Sequence, residues 1–126
     1  KEIVNYNRKL GRLIIEPNGK FSSSEVRAAE YMQKLGNDVI LRMPTGRRVD
    51  GGTSDLIVNG LNYDVYTPIT RNHNRIVTAI ADKKDQAVGI ILDLSQTTVT
   101  ESELGDIMAR LSGKGVTTIR EVIVLP

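Results

Sequence analysis

One stretch of the sequence decides how this chain folds: Asp55-Leu56-Ile57-Val58-Asn59-Gly60-Leu61-Asn62-Tyr63-Asp64-Val65-Tyr66. Two runs rich in β-branched and aromatic residues flank Asn59-Gly60, and Asn-Gly between such runs is a strong signal for a two-residue hairpin turn. The stretch therefore predicts two antiparallel strands, 55–58 and 61–66. Pro68 ends the second strand, because proline cannot donate a backbone hydrogen bond.

Upstream of this hairpin, the sequence predicts one helix and one short strand. Ser22 and Glu25 form a Ser-x-x-Glu capping box, followed by apolar residues at helical spacing and by Gly36 as a stop. Residues 39–41 are typical of a short strand. Residues 1–21 show no clear period, so we expect an N-terminal arm with one short helical or extended piece, followed by a single domain over 22–126.

Downstream of the hairpin, helices and strands alternate. Apolar residues at helical spacing predict a helix over 75–86, and the continuous apolar run 88–94 is typical of a strand buried on both faces. A second capping box, Thr100 to Glu103, opens a helix that ends at Gly113, and 119–125 predict a last buried strand. This order favours an α/β fold with a mixed β-sheet that contains an antiparallel hairpin and is flanked by helices.

Composition excludes several classes of protein. The chain has 126 residues, no cysteine, and a net charge of +2, with the basic excess in residues 1–54. Disulfides, thiolate nucleophiles and cysteine-bound metals are therefore excluded. With 4% aromatic residues, base stacking on aromatic platforms is not a main binding device. The longest apolar run is too short to span a membrane, so we expect a soluble domain. Because the chain begins at Lys1, we expect a piece of a longer polypeptide or a trimmed chain.

Two carboxylates flank the hairpin. Counting outward from the Asn59-Gly60 turn places Asp55 directly opposite Asp64. Like charges at opposed positions destabilise a sheet unless something neutralises them. A divalent cation such as Mg²⁺ or Mn²⁺ would do so, since both prefer hard oxygen ligands. The alternative is that both side chains point to solvent beside arginines.

Glu25 and a lysine are the further candidates. Glu25 shares a helix face with small and apolar residues, although its capping box alone would explain a glutamate there. Lys83 lies on the apolar face of the helix predicted over 75–86, and Lys84 is nearly as well placed. A lysine directed toward a carboxylate pair would stabilise negative charge on a phosphate. A surface lysine is the ordinary alternative.

Several further residues are candidates for binding a substrate. Arginines border the acidic positions, as a phosphate backbone would require, and the set comprises Arg42, Arg47, Arg48, Arg71 and Arg75. Thr53, a hydroxyl just before Asp55, would help to hold phosphate or water. His73 is a possible general base, although a single histidine in a loop is more often inert.

These residues carry a resemblance to known nucleases. A helix bearing a glutamate, an aspartate at a strand start, an acid on the next strand and a nearby lysine resemble the PD-(D/E)XK restriction-endonuclease-like superfamily. The chain is more closely similar to the C-terminal toxin domain of CdiA contact-dependent growth inhibition proteins, in the branch that contains tRNA nucleases. The segments that carry the similarity are 23–29, 52–60, 63–68 and 87–94.

The resemblance implies a secreted or cell-surface effector that enters the cytoplasm of a target cell. There it would cleave tRNA by metal-dependent hydrolysis and would be neutralised by a cognate immunity protein. Its catalytic roles would fall on Glu25, Asp55, Asp64 and Lys83, and the three acids would hold the metal, Mg²⁺ or Mn²⁺. One position departs from the superfamily pattern: Tyr66 stands two residues after the second acid, where a lysine is usual.

The residues alone leave other functions open. A DNase on the same scaffold would use the same side chains, and a ribonuclease that needs no metal would use fewer of them. A module that binds RNA or protein without catalysis would need none of the acids. The basic patches also favour an acidic surface on any inhibitor.

Overall fold

The computed structural model describes residues 10–43 and 55–126, which fall into two compact units, 1–61 and 62–126. In the first unit, strand β1 (Leu13–Ile15) precedes helix α1 (Ser23–Lys34), and strands β2 (Val39–Arg42) and β3 (Asp55–Val58) follow. Strand β2 pairs with β1 in parallel and with β3 in antiparallel orientation. The first unit is therefore a mixed sheet with one helix. Strand β1 is the short extended piece that was expected within the first 20 residues.

Helix α1 begins at the predicted capping box. The Ser22 hydroxyl accepts a hydrogen bond from the Glu25 amide (3.1 Å), and the Glu25 carboxylate accepts one from the Ser22 amide (2.8 Å). These two bonds satisfy amide groups that have no partner within the helix. The helix buries one face, on Ala28, Ala29 and Met32, and α1 packs mainly on β2.

The predicted turn has the expected backbone geometry. Asn59 and Gly60 both have positive φ, 51° and 83°. Positive φ at both central residues defines a type I′ turn, whose twist matches that of antiparallel strands. The Asn59 side chain is held as well, since its amide donates to Asn37 and its carbonyl accepts from the Asp38 amide. The strand boundaries on either side of the turn are those that the sequence predicts.

The second unit contains three parallel strands and two longer helices. Its elements are β4 (Leu61–Tyr66), α2 (His73–Ala81), β5 (Gly89–Leu92), a 3-10 turn (Glu101–Glu103), α3 (Leu104–Gly113) and β6 (Glu121–Val124). Strand β5 pairs in parallel with β4 on one side and with β6 on the other. All four β5 residues are buried. The α/β class, the mixed sheet and the flanking helices are thereby confirmed.

The core of the second unit joins α2, α3 and β5. Its buried residues are all apolar: Ile76, Val77, Ile80, Ala87, Ile90, Val99, Ile107 and Leu111. Three elements differ from their predicted bounds. Strand β5 covers 89–92 rather than 88–94. Helix α2 covers 73–81 rather than 75–86, because the chain continues from Asp82 as a turn through Gln86. Strand β6 is shorter than predicted and only partly buried, and its first residue is exposed.

A charged network joins the start of α2 to α3. The His73 Nδ1 lies 2.6 Å from Asp106 Oδ2, and its Nε2 lies 2.8 Å from Glu103 Oε1. Arg110 donates to the same Asp106 oxygen and to the Asn74 side chain, both at 2.6 Å. Hydrogen bonds to Asp106 and then to Glu103 raise the pKa of His73. When protonated, the imidazole can donate to both carboxylates and so acts as a clamp between the two elements.

The Tyr63 ring lies across a glycine on the neighbouring strand. Tyr63 is the register partner of Gly89, and its hydroxyl donates to Glu121 on the far side of β5. A Cβ atom at Gly89 would fall 2.2 Å from the ring. Burial, the hydrogen bond to Glu121 and the charge of that carboxylate raise the pKa of Tyr63 to about 12. The Tyr63–Glu121 bond therefore spans three strands only because position 89 has no side chain.

We predict that Gly89→Ala destabilises the protein by about 1–3 kcal/mol, the usual cost of overpacking, because the Tyr63 ring must move and release Glu121. Urea unfolding followed by circular dichroism measures this change. Gly105→Ala is the matched control, since nothing lies within 4 Å of its added Cβ. It should equal or exceed the wild type in stability, by up to about 1 kcal/mol. Equal stability of the Gly89 variant and the wild type would contradict the packing argument.

The His73 clamp predicts a pH-dependent stability. A raised pKa in the folded state makes the clamp fully effective below the ordinary pKa of about 6.5 and removes its contribution as pH rises through the folded value. The pKa values of Glu103 and Asp106 are lowered, so both carboxylates stay charged in mildly acidic solution. The urea midpoint of unfolding should therefore be higher for the wild type than for His73→Gln, and this difference should be largest near pH 5.5. The difference in midpoint should decrease by pH 9. A difference that does not change with pH would contradict the role of His73 as a clamp.

Candidate active site

One half-buried ion pair stands out in the second unit. The Lys83 Nζ lies 2.7 Å from Asp64 Oδ2, and the two side chains are 23% and 13% exposed. The other carboxylate oxygen, Oδ1, accepts a hydrogen bond from the Val65 amide at 2.9 Å. Both oxygens of Asp64 are thus engaged, which holds the carboxylate in one orientation. A charge in this position needs its partner, because an unpaired charge with little exposure is costly.

The backbone positions both members of this pair. Asp64 lies in the middle of β4, opposite Ile90 on the buried strand β5. Lys83 lies in the turn between α2 and β5, where its amide donates to the Ile80 carbonyl and its carbonyl accepts from the Ala87 amide, both at 3.0 Å. Lys83 is therefore not on the helix itself, as the periodicity predicted, but two residues beyond its last residue.

The structure distinguishes between the two candidate lysines. Lys83 contacts Asp64, whereas the Lys84 side chain is exposed. The Lys84 backbone carbonyl instead accepts a hydrogen bond from the Thr118 hydroxyl at 2.8 Å. The lysine that accompanies an acidic residue of the hairpin is thus Lys83.

Asp55 has a cationic neighbour within the first unit. It is the register partner of Arg42 across β2 and β3, and Arg42 Nε lies 3.6 Å from Asp55 Oδ2. The same nitrogen is buried and has no hydrogen-bond partner among the described residues. Asp55 thus lies beside an arginine, as in the alternative prediction, but its side chain is only 22% exposed and does not simply point to solvent. The predicted pairing of Asp55 with Asp64 stays a prediction.

Glu25 is engaged at the start of α1. Its Oε1 caps the helix through the Ser22 amide, and the side chain is half-buried. The capping role accounts for a glutamate at this position without any further function. Its predicted role as a metal ligand stays a prediction.

The chemistry of the three acids is compatible with the predicted metal site. Carboxylate oxygens suit Mg²⁺, and a carboxylate oxygen that accepts one hydrogen bond keeps a second lone pair for a metal ion. In the described ranges, however, no three or more histidine, aspartate or glutamate side chains are grouped as a metal site. Asp55 belongs to the first unit and Asp64 to the second. The three-carboxylate metal site predicted from the sequence is therefore a proposal that rests on the residue types.

The candidate substrate residues are only partly described. Arg47, Arg48 and Thr53 lie outside the described residues. Arg75 is exposed on the first turn of α2 and lines a shallow cavity of about 380 Å³ with its neighbours Asn72, Asn74, Thr78, Ala79 and Asp82. Among the described helices, none is long and apolar enough to cross a membrane.

The sequence did not predict the structural roles of two polar residues, His73 and Asp93. Both ring nitrogens of His73 are bound to carboxylates, so it is a structural clamp and does not have the free nitrogen that a general base needs. Asp93, directly after β5, is buried and accepts a hydrogen bond from the Ser95 amide. The sequence contains a signal for Asp93, because an acid interrupts the apolar run 88–94. No sequence pattern indicates the partners of His73, since they lie 30 and 33 residues away.

Comparison with known proteins gives this geometry a context. The fold is similar to a chain of the CdiA-CT/CdiI toxin and immunity complex from Burkholderia pseudomallei, with a TM-score of 0.64 and 24% identity. The match covers 90% of this chain and 91% of the other. None of the curated proteins compared matches the chain. Residues 52–126, more than half of the sequence, match the contact-dependent growth inhibition CdiA C-terminal domain, and the chain therefore belongs to the CdiA C-terminal domain family.

Proposed function

We propose that this chain is a toxin domain that hydrolyses phosphodiester bonds of tRNA in a target cell, with the help of a divalent metal ion. The observation that carries this proposal is the half-buried Asp64–Lys83 ion pair. A carboxylate paired with an ammonium group is a pair of charges that can serve phosphodiester hydrolysis. The carboxylate can accept a proton or bind a metal ion, and the ammonium group can stabilise negative charge on the phosphate.

Family membership supports the biological setting. The chain belongs to the CdiA C-terminal domain family of contact-dependent growth inhibition. The similar fold from Burkholderia pseudomallei occurs in a complex of a toxin with its immunity protein. We therefore assign this chain a cognate immunity protein as its partner and the target-cell cytoplasm as its place of action. An immunity protein with an acidic contacting face would suit the arginines of the toxin.

The proposed mechanism assigns separate roles to the two members of the pair. Lys83 would donate to a non-bridging oxygen of the scissile phosphate and offset the negative charge that grows there in the transition state. Asp64 would hold the ammonium in position before the substrate arrives. The turn 82–86 keeps Lys83 in place through its backbone hydrogen bonds, so little reorganisation is needed.

The three acids would have a separate role. Glu25, Asp55 and Asp64 would hold Mg²⁺, which when bound would supply positive charge near the phosphate and a more acidic water. Arg42 already lies beside Asp55, which would moderate the repulsion between that carboxylate and the phosphate backbone. Arg47, Arg48, Arg75 and Thr53 would add contacts to the backbone on either side of the cleaved bond.

We predict that the purified chain cleaves total tRNA with Mg²⁺ and that EDTA abolishes the cleavage. Asp64→Ala should lower the rate by about 100-fold or more, because it removes the carboxylate of the site. Asp85→Ala is the matched control, since Asp85 is exposed in the same turn region. Cleavage is read on a denaturing gel, and adding the cognate immunity protein should stop it.

The possible results of this assay separate the alternative functions. Degradation of plasmid DNA in place of tRNA would indicate a DNase on the same scaffold. Full activity in EDTA would indicate hydrolysis without a metal. Intact tRNA and plasmid in every lane, from protein shown to be folded by circular dichroism, would overturn the nuclease proposal.

A second prediction separates the two lysines. Lys83→Ala should reduce kcat on tRNA by about 10²–10³-fold with little change in KM, because the lost interaction forms fully only in the transition state. Lys84→Ala should stay within about twofold of the wild type, since its side chain is exposed. Thermal unfolding of both variants accompanies the kinetics, because loss of Lys83 leaves Asp64 unpaired. Equal activity of Lys83→Ala and Lys84→Ala would contradict the role proposed for Lys83.

A further inference from the structure

A polar cavity in the second unit has no assigned role. It has a volume of about 480 Å³ and is lined by two neighbouring loops, through Ile69, Arg71, Ser95, Gln96, Thr97 and Thr98. We propose that this cavity, called here the Arg71 cavity, binds one nucleotide of the RNA substrate away from the cleaved bond. The proposal rests on the proposed function, because it takes the ligand to be RNA.

The position of the cavity favours a ligand site. Its two loops follow strands β4 and β5, which are parallel neighbours. Ligands of open α/β sheets bind in crevices outside the carboxyl ends of the strands. Strand β4 also carries Asp64, so one strand connects the ion pair to the cavity.

The loops that form the cavity are held together by hydrogen bonds. The Thr97 hydroxyl donates to the Thr70 carbonyl at 2.8 Å, which ties the loop after β5 to the loop after β4. The same hydroxyl accepts a hydrogen bond from the Val99 amide at 3.2 Å. Beneath them, buried Asp93 accepts from the Ser95 amide at 3.0 Å. Such a frame is largely preformed, which lowers the entropic cost of binding.

The lining offers polar groups that are free to bind a ligand. The Arg71 side chain is exposed and makes no hydrogen bond or ion pair with another described residue, and the same is true of the Gln96 amide. None of the six lining residues is acidic. A guanidinium that makes no ion pair is suited to a phosphate, which it can bind with two parallel hydrogen bonds.

The remaining lining groups match the other parts of a nucleotide. Ile69 is 84% exposed, so its side chain is available to cover one face of a base. The Gln96 amide can pair with a base edge, and the hydroxyls of Ser95 and Thr98 can bond to a ribose 2′-hydroxyl. The volume lies within the range of small-ligand pockets, about 300–1,000 Å³. The lining therefore suits a single unstacked ribonucleotide.

Binding measurements on the intact chain test this assignment. The probe is a fluorescein-labelled tRNA transcript, and the protein carries Asp64→Ala so that cleavage does not interfere. Adding Arg71→Ala should weaken binding by about 5–20-fold and reduce the slope of log K against log salt concentration by about 1. Arg120→Ala is the matched control: Arg120 is exposed and immediately precedes β6, at the opposite end of the parallel strands. It should change binding by less than twofold.

Two further variants extend the test. Arg71→Lys keeps the charge but loses the two-pronged contact, so it should bind with intermediate affinity. Gln96→Ala should weaken binding at constant salt slope, because the lost contact is uncharged. Inorganic phosphate and mononucleotide are added as competitors of the labelled tRNA. If neither displaces the tRNA at millimolar concentration, the result agrees with a site for polymeric RNA. Complete competition by phosphate alone would overturn the nucleotide assignment.

The outcomes also distinguish this inference from the proposed function. If the wild type cleaves tRNA while Arg71→Ala and Arg120→Ala bind it equally well, the Arg71 cavity is not an RNA site and the nuclease proposal stands. If binding depends on Arg71 but the wild type cleaves nothing, the cavity assignment stands and the nuclease proposal falls. If the chain does not bind RNA at all, both fall.

Discussion

The complete burial of β5 is the constraint on which the second unit depends. Its four residues, Gly89–Leu92, are buried between β4 and β6, and Ile90 lies in the apolar core with residues of α2 and α3. A strand buried on all sides must satisfy its backbone through its two neighbours, which fixes the register of both. Asp64 is consequently held opposite Ile90, and the turn that leads from α2 into β5 holds Lys83. The ion pair is a product of this packing.

The polar groups of the second unit are arranged around that apolar centre. Tyr63 reaches Glu121 across Gly89, and His73 joins α2 to the start of α3. Both contacts bridge elements that the hydrophobic core already brings together. These hydrogen bonds are directional and therefore fix the relative orientation of elements that hydrophobic packing alone holds without a preferred direction. Lys83 and Asp64 likewise join a strand to the turn that leads into its neighbour, but their charges keep some contact with solvent.

Local signals were sufficient for most of the fold. Both capping boxes and the Asn59-Gly60 turn are where the sequence predicts them, because each depends on residues within four positions of one another. The end of α2 was misplaced because the turn 82–86 continues with helix-like hydrogen bonds. For the candidate site, helical spacing favoured Lys83, and Lys83 contacts Asp64, although a turn and not a helix positions it. The hydrogen bond between His73 and Glu103 and the one between Thr97 and Thr70 join residues that are distant in sequence. No local sequence pattern therefore predicts them.

The second unit is continuous in sequence, and this has an evolutionary consequence. The ion pair, the Arg71 cavity and the His73 clamp all lie between residues 62 and 126. Glu25 and Asp55 lie in the other unit. Recombination at the Asn59-Gly60 turn would transfer the first group of features to a new chain as one block. Such an exchange would keep Lys83 and Asp64 together and would leave Glu25 and Asp55 behind.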